Sequence, residues 1–305
     1  MALVTPDSNI YFAQQDLIGK VQTTGDVRFV SSTAADNSDS DGRDGRSQRR
    51  PLSTVDAAIG LATASQGDII LVMPGHTETI ASATAWAMDK AGISVIGLGK
   101  GALRPTFTLT ATASNIPITT ANCLIENCIF TCGTADHTTT MTITADETTI
   151  RNCKFMNITG FQSITQIRVG LGANDADNLL IEGCRFEAVA VGCTQAILME
   201  EVEDQVVIDN CSFSGEYLVS CIHNPTGFVL TDITISNNYV HNVDADQQCI
   251  ILLSACTGTI KDNLCSGSIA GAVTLIDPGS CRLHSNFVHD SEVDKTSLIS
   301  HGVVA

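Results

Sequence analysis

Apolar residues in this chain do not follow a helical period. They fall in short clusters separated by polar turns, and the clusters themselves repeat. The clearest unit reads Ile125-Glu-Asn-Cys-Ile-Phe130, Ile150-Arg-Asn-Cys-Lys-Phe155, Ile181-Glu-Gly-Cys-Arg-Phe186 and Ile208-Asp-Asn-Cys-Ser-Phe213. It softens to Ile235-Ser-Asn-Asn-Tyr-Val240, Ile260-Lys-Asp-Asn-Leu-Cys265 and Leu283-His-Ser-Asn-Phe-Val288, and copies start 23 to 31 residues apart. A short apolar stretch precedes each of several copies (Met141 to Ile143, Ile167 to Val169, Ala196 to Met199, Ile250 to Leu253, Val273 to Ile276). One strand-like unit per repeat of this length predicts a solenoid rather than a compact α/β domain.

Read as a single strand with alternating apolar residues, the unit turns its Ile, its Cys or Asn, and its Phe toward one interior. Neighbouring coils of a parallel stack lie about 4.8 Å apart. Cys128, Cys153, Cys184 and Cys211 then form a ladder of buried thiols. Thiols that point alike on parallel strands fit disulfide geometry poorly, so free thiols are expected. In the later coils Asn238, Asn263 and Asn286 take the same place, and buried amides there must bond along the stack.

Before the repeats the pattern differs. Residues 1–26 show apolar islands, Ile10-Tyr11-Phe12 and Leu17-Ile18, in polar sequence. They read as an arm that docks on something, either the body of the protein or a partner, with these apolar residues as the candidate attachment points. Val27 to Val30 predicts a strand, followed by a Ser/Asp/Gly/Arg-rich loop to about Arg50. Ser53 or Thr54 can cap a helix over about 53–63, with Val55, Ala58, Ile59 and Ala62 on one face. Asp68 to Met73 and Ile93 to Leu98 predict buried strands, and coils then continue over about 68–290 of a 27–305 body.

Composition narrows the partners. The net charge is −17, and without a basic cluster the chain is not expected to bind nucleic acid. Arg43, Arg46, Arg49 and Arg50 are interleaved with Asp41 and Asp44 and read as a solvated loop. No apolar run is long enough to span a membrane. The opening Met1-Ala-Leu-Val-Thr-Pro-Asp lacks a basic start and an apolar core, so folding in a reducing cytoplasm is expected, in keeping with twelve cysteines held as thiols. No pair of zinc-finger CxxC units occurs, and neither a metal nor a cofactor is expected.

Several segments carry a resemblance. Phe29-Val-Ser-Ser, the Asp/Gly loop, Pro51-Leu-Ser-Thr-Val-Asp-Ala-Ala-Ile59, Gly67-Asp-Ile-Ile-Leu-Val-Met-Pro-Gly-His76 and Ile93-Ser-Val-Ile-Gly97 resemble the entry into the pectin lyase-like superfamily. The resemblance runs from about 27 to 290. It implies an all-β, single-stranded right-handed parallel β-helix whose first coils follow a capping helix. Pro74-Gly-His-Thr-Glu-Thr-Ile80 is similar to forms found in bacteriophage structural proteins. The superfamily includes lyases, glycoside hydrolases, tailspikes and non-catalytic virion proteins, so the fold leaves the function open.

The periodic candidate for chemistry is a row of carboxylates. Asp146, Asp177 and Asp204 each stand four residues before a repeat's Ile, with Glu200, Glu201 and Glu203 nearby. Two carboxyls about 5 Å apart would suit a retaining glycosidase. A cation between coils is a second reading, and aspartates that accept backbone N–H bonds at a turn are a third. The third explains the periodicity directly. His241 with Asp244 and Asp246 reads as a surface turn, and Gly97-Leu-Gly-Lys-Gly101 as a tight turn without phosphate-loop spacing. The resulting expectation is a non-enzymatic structural protein of a bacteriophage virion, a capsid decoration or tail component. It would be homotrimeric, assembled in the host cytoplasm and bound to other virion proteins. The alternatives are a tailspike or glycoside hydrolase acting through the aspartates, and a glycan-binding adhesin, which needs exposed aromatics in a chain where they are 5% of residues.

Overall fold

The computed structural model describes residues 23–299 apart from 41, 173, 175, 254, 269–273 and 291–294. Ile10, Tyr11, Phe12, Leu17 and Ile18 lie outside the described residues.

The chain winds as a parallel solenoid with three faces. The first is a ladder of ten parallel strands among the described residues, from Val27–Val30 through Ile69–Val72, Ser94–Gly97 and Leu124–Glu126 to Arg282–His284. The second runs from Thr77–Ile80 through Ile129–Cys132 and Lys154–Met156 to Asn286–Asp290, where an antiparallel strand, Lys295–Ile299, is added. The third includes Ile116–Ile118, His137–Ile143, Ser163–Val169 and Gln248–Leu252. Two long strands, Arg185–Met199 and Ser212–His223, run from the second face into the third through register shifts.

The repeated hexapeptide is not one strand. It is the corner between the first two faces. Its third residue has a left-handed backbone in every copy: Asn127, Asn152, Gly183, Asn210, Asn237, Asp262 and Ser285, with φ from 51° to 63°. Gly and Asn tolerate this region best, which is why they dominate the position. Each corner from Asn127 to Asp262 donates its N–H to the next coil, as in Asn152 to the Glu182 carbonyl at 2.9 Å and Gly183 to that of Asp209 at 3.0 Å. The reversal also explains how Ile125 and Cys128, three residues apart, both point inward.

Inside, identical positions stack. Rings of Phe130, Phe155, Phe186 and Phe213 follow one another at centroid distances of 5.1, 5.0 and 4.7 Å. Beside them all twelve cysteines are buried free thiols. The Cys153, Cys184 and Cys211 thiols each donate to the repeat Ile carbonyl one coil earlier, at 3.5–3.6 Å. Asn238, Asn263 and Asn286 donate to that same carbonyl, through Nδ2, at 2.8–2.9 Å. Each amide oxygen also accepts the backbone N–H of the preceding rung, starting with Cys211. Thiol and amide therefore fill one structural role, and the expected amide ladder is present.

The N-terminal end is closed by α1, Val55–Leu61, capped by the Thr54 side chain accepting from the Ala57 N–H at 3.3 Å. Val55, Ala58 and Ile59 are buried against the first coils. Asp39 in the preceding loop accepts from the Ser53 and Thr54 N–H groups. Buried Arg28 donates to the Leu61 carbonyl at the far end of α1 at 2.7 Å, a favourable place for a cation. His76 is the joint. Its Nδ1 accepts the Ser32 N–H at 2.9 Å, so the proton sits on Nε2, which donates to Glu78 at 3.0 Å. Glu78 in turn accepts the first helical N–H, that of Val55, at 3.1 Å.

Candidate functional site

The predicted carboxylate row lies at the corner where the third face turns into the first. Glu147, Asn178, Gln205 and Asp232 are left-handed here, with φ from 51° to 57°. Asp146, Asp177 and Asp204 immediately precede the first three. The Asp177 N–H donates to the Asp146 carboxylate at 3.0 Å, and the Asp204 N–H to the Asp177 carboxylate at 2.7 Å. The row ends where the Thr231 hydroxyl donates to Asp204 at 2.6 Å. In the other direction the Glu147 and Asn178 N–H groups donate to the carbonyls of Asp177 and Asp204 at 2.8 and 2.9 Å. Each carboxylate thus clamps the following coil's corner, as the turn reading expects.

Glu201 and Glu203 stand beside this row. Glu203 is fully buried and accepts the Ala176 N–H. Gly170, at φ +75°, passes so close that a Cβ there would lie 2.5 Å from the Glu203 Oε1 and 2.7 Å from the Glu201 Cβ. Glu200 turns instead to Arg168, at 2.5 Å. Among the described residues no group of three or more His, Cys, Asp or Glu is arranged to hold a metal ion.

Of the other predicted features, the glycine segment and the basic loop resolve into a turn and ion pairs, whereas His241 and Asp244, expected in a surface turn, lie within the strand Tyr239–Ala245 and only Asp246 is at the turn that follows. Gly99 and Gly101 are left-handed and lead into a short 3-10 turn; Asn127 Nδ2 donates to the carbonyls of Gly97 and Gly99 at 2.7 and 3.1 Å. In the basic loop Arg43 and Arg50 pair with Asp36, and Arg46 with Asp26. No helix among the described residues is long and apolar enough to cross a membrane.

A second location was not anticipated. On the outward side of the second face, in the last coils, Tyr239, Leu264 and Phe287 occupy successive rungs in register and are 44%, 39% and 40% exposed. One row over, in the same rungs, come His241, Ser266 and His289. The His241 Nδ1 and the Ser266 hydroxyl are 2.7 Å apart. His241, Asn242, Val243, Ser266, Gly267, Ser268 and His289 line a groove of about 310 Å³. The signal was present in the repeats: Tyr239 and Phe287 hold the fifth, outward position, whereas the stacked phenylalanines hold the sixth.

Comparison with known proteins follows the geometry. Residues 68–231 match the family model described as a right-handed beta helix region. The chain belongs to this β-helix family. Among solved structures it is similar to a rhamnogalacturonan lyase, at 11% identity and a TM-score of 0.47 over 90% of this chain and 89% of that one. It is similar also to PfbA, a surface adhesin of Streptococcus pneumoniae, at 11% identity and a TM-score of 0.35 over 73% and 76% of the two chains. A GH136 lacto-N-biosidase from Eubacterium ramulus gives 11% identity and 0.36 over 97% and 70%. Likenesses at this level bear on neither substrate nor activity. No curated protein matches the chain.

Proposed function

We propose that this β-helix protein is a non-enzymatic structural component of a bacteriophage particle, a capsid decoration or tail-associated subunit that presents a rigid surface. The observation that carries the non-enzymatic part is the aspartate corner. Asp146 and Asp177 each hold the backbone N–H of the following coil, and the whole row is accounted for by stacking. The particle assignment rests on the resemblance of the Pro74–Ile80 segment and on the reduced, buried thiols. In this reading the protein assembles as a homotrimer in the host cytoplasm, and the N-terminal arm with Ile10, Tyr11, Phe12, Leu17 and Ile18 joins it to other virion proteins.

Thr24 and Asp26 already bond to the body, through the Gln66 carbonyl and the Asp68 carboxylate, so an arm deletion must stop at residue 22. A protein lacking residues 1–22 should melt as the full chain does but fail to join particles in a co-assembly assay. Unimpaired attachment of the truncated protein would refute the arm's role. Release of reducing sugar from host envelope polysaccharide by the full chain would refute the non-enzymatic reading.

A further inference from the structure

At the N-terminal end of the first face the outward side is apolar. Val30, Ile70, Val72 and Val95 point into the core. Alternation sends Phe29, Ile69, Leu71 and Ile96 the other way, where they form a cluster separate from the core. Phe29, Leu71 and Ile96 follow one another in register on three successive rungs. Further along the same face the outward Leu180 and Val207 are only half-buried. Phe29, Ile69, Leu71 and Ile96 are instead 4%, 5%, 2% and 4% exposed. The apolar residues packed against them, Val27, Met73, Leu98 and Leu124, continue the same outward alternation, so they flank the cluster rather than roof it.

We propose that the N-terminal arm docks across this face, with Leu17 and Ile18 seated over Leu71 and its neighbours. The burial belongs to a single subunit, so a second copy is not needed to account for it. The arm joins the body beside the patch: the Thr23 hydroxyl donates to the Gly67 carbonyl and the Asp26 N–H to the Asp68 carboxylate at 2.8 Å, and Ile69 follows directly. Leu17-Ile18 is the nearer of the arm's two apolar islands. The five residues from Ile18 to Thr23 span up to about 17 Å, and the four rungs from Phe29 to Leu124 cover about 14 Å, so the pair reaches any part of the patch. Adding the arm as a further strand is closed off. At the free edge the Phe29 N–H already donates to the Gly45 carbonyl at 2.7 Å, and its carbonyl accepts the Leu52 N–H at 2.9 Å. The arm therefore lies on the face and gains by burying apolar area. Docked there, Leu17 and Ile18 fix the root of the arm and leave Ile10, Tyr11 and Phe12 to reach a partner. The docking belongs to the free subunit and does not depend on the particle role.

Lys20 stands between the docked pair and the root, so trypsin reports on the arm, because cleavage of a transiently opened segment tracks its open population. Cleavage after Lys20 is timed in the full chain, and each rate is divided by that of a free peptide of residues 12–26 with the same sequence. The wild-type chain should be cut about a hundredfold more slowly than its peptide. Leu17→Ser combined with Ile18→Ser should remove most of that protection. Leu71→Thr should reduce it about tenfold, and Ile96→Thr, one rung on, gives a second reading. Leu180→Thr, beyond the patch on the same face, should leave it intact. Thr suits an outward strand position, and a terminal segment opens more readily than the coils beneath it. The arm thus leaves before the stack melts, and none of these variants should shift the melting curve. The proposal is overturned if the wild-type chain is cut as fast as its peptide, or if protection is indifferent to the arm variant or to both Thr variants in the patch. Protection that fades on dilution would also overturn it, by showing that a sister subunit supplies the arm.

Discussion

Asn263→Leu removes the middle of the amide ladder while keeping the side chain's branched heavy-atom skeleton. Asn263 Nδ2 donates to the Ile235 carbonyl and to the Asn286 Oδ1, each at 2.9 Å. Its Oδ1 accepts the Asn238 N–H at 3.0 Å and the Asn238 Nδ2 at 2.9 Å. The Asn238 amide nitrogen keeps the Ile208 carbonyl, and Asn286 keeps the Asn263 backbone N–H. The buried Asn238 backbone N–H loses its acceptor. One buried group left unsatisfied costs about 1–3 kcal/mol, and the remaining exchange of bonds about 1 kcal/mol, so a loss near 3 kcal/mol is expected. Asn263→Cys restores the donor that other coils use toward the same carbonyl and should cost less. Because solenoids can unfold in parts, the assay pairs urea unfolding with hydrogen exchange at the Asn238 amide, which should accelerate most in Asn263→Leu. A loss below about 1 kcal/mol, or equal losses for Leu and Cys, would refute the ladder as a source of stability.

Other perturbations address separate parts of the fold. Phe186→Ala opens the ring stack between neighbours at 5.0 and 4.7 Å and should cost about 3–5 kcal/mol in urea unfolding. His137 is buried, with Nδ1 2.8 Å from the Ser163 hydroxyl and Nε2 2.7 Å from the Ser114 carbonyl. Burial pushes its pKa below the ordinary 6.5, against the opposing Ser114 bond. The unfolded chain therefore takes up the proton first, so stability is full above 6.5 and falls as pH drops below it, down to the folded-state value. His137→Gln should flatten that part of a stability curve measured between about pH 8 and about pH 5; His223, shifted the same way by burial with Glu200 opposing, supplies the remaining slope.

Much of the architecture could be read before the structure because solenoids write their stacking rule into sequence. Val55, Ala58 and Ile59 marked the buried face of α1, and Asn238, Asn263 and Asn286 announced an amide ladder by replacing cysteine in register. The corner was missed because alternation was assumed to run through Ile-x-Asn-Cys-x-Phe. The clue lay in the third position, where Gly183 substitutes for Asn, the exchange expected of a left-handed residue. The groove was missed for a related reason. Tyr239 and Phe287 belong to the same repeat as the stacked phenylalanines but are one residue out of step with them, and so face solvent. The aspartates do follow one another in register, but the backbone N–H groups that other coils bring to them could not be read from the sequence.

The central claim is that this row is a structural clamp. Its most direct test pairs a melting curve with a reducing-sugar assay for Asp177→Ala and Asp177→Asn. The Ala variant should lose about 1–2 kcal/mol, the scale of a bond to a charged group at a half-exposed site. The Asn variant, which keeps an acceptor oxygen for the Asp204 N–H, should lose less, and no protein should release sugar from host polysaccharide. A wild-type protein that cleaves the polysaccharide, and an Asp177→Asn variant that melts identically but no longer does so, would contradict the account.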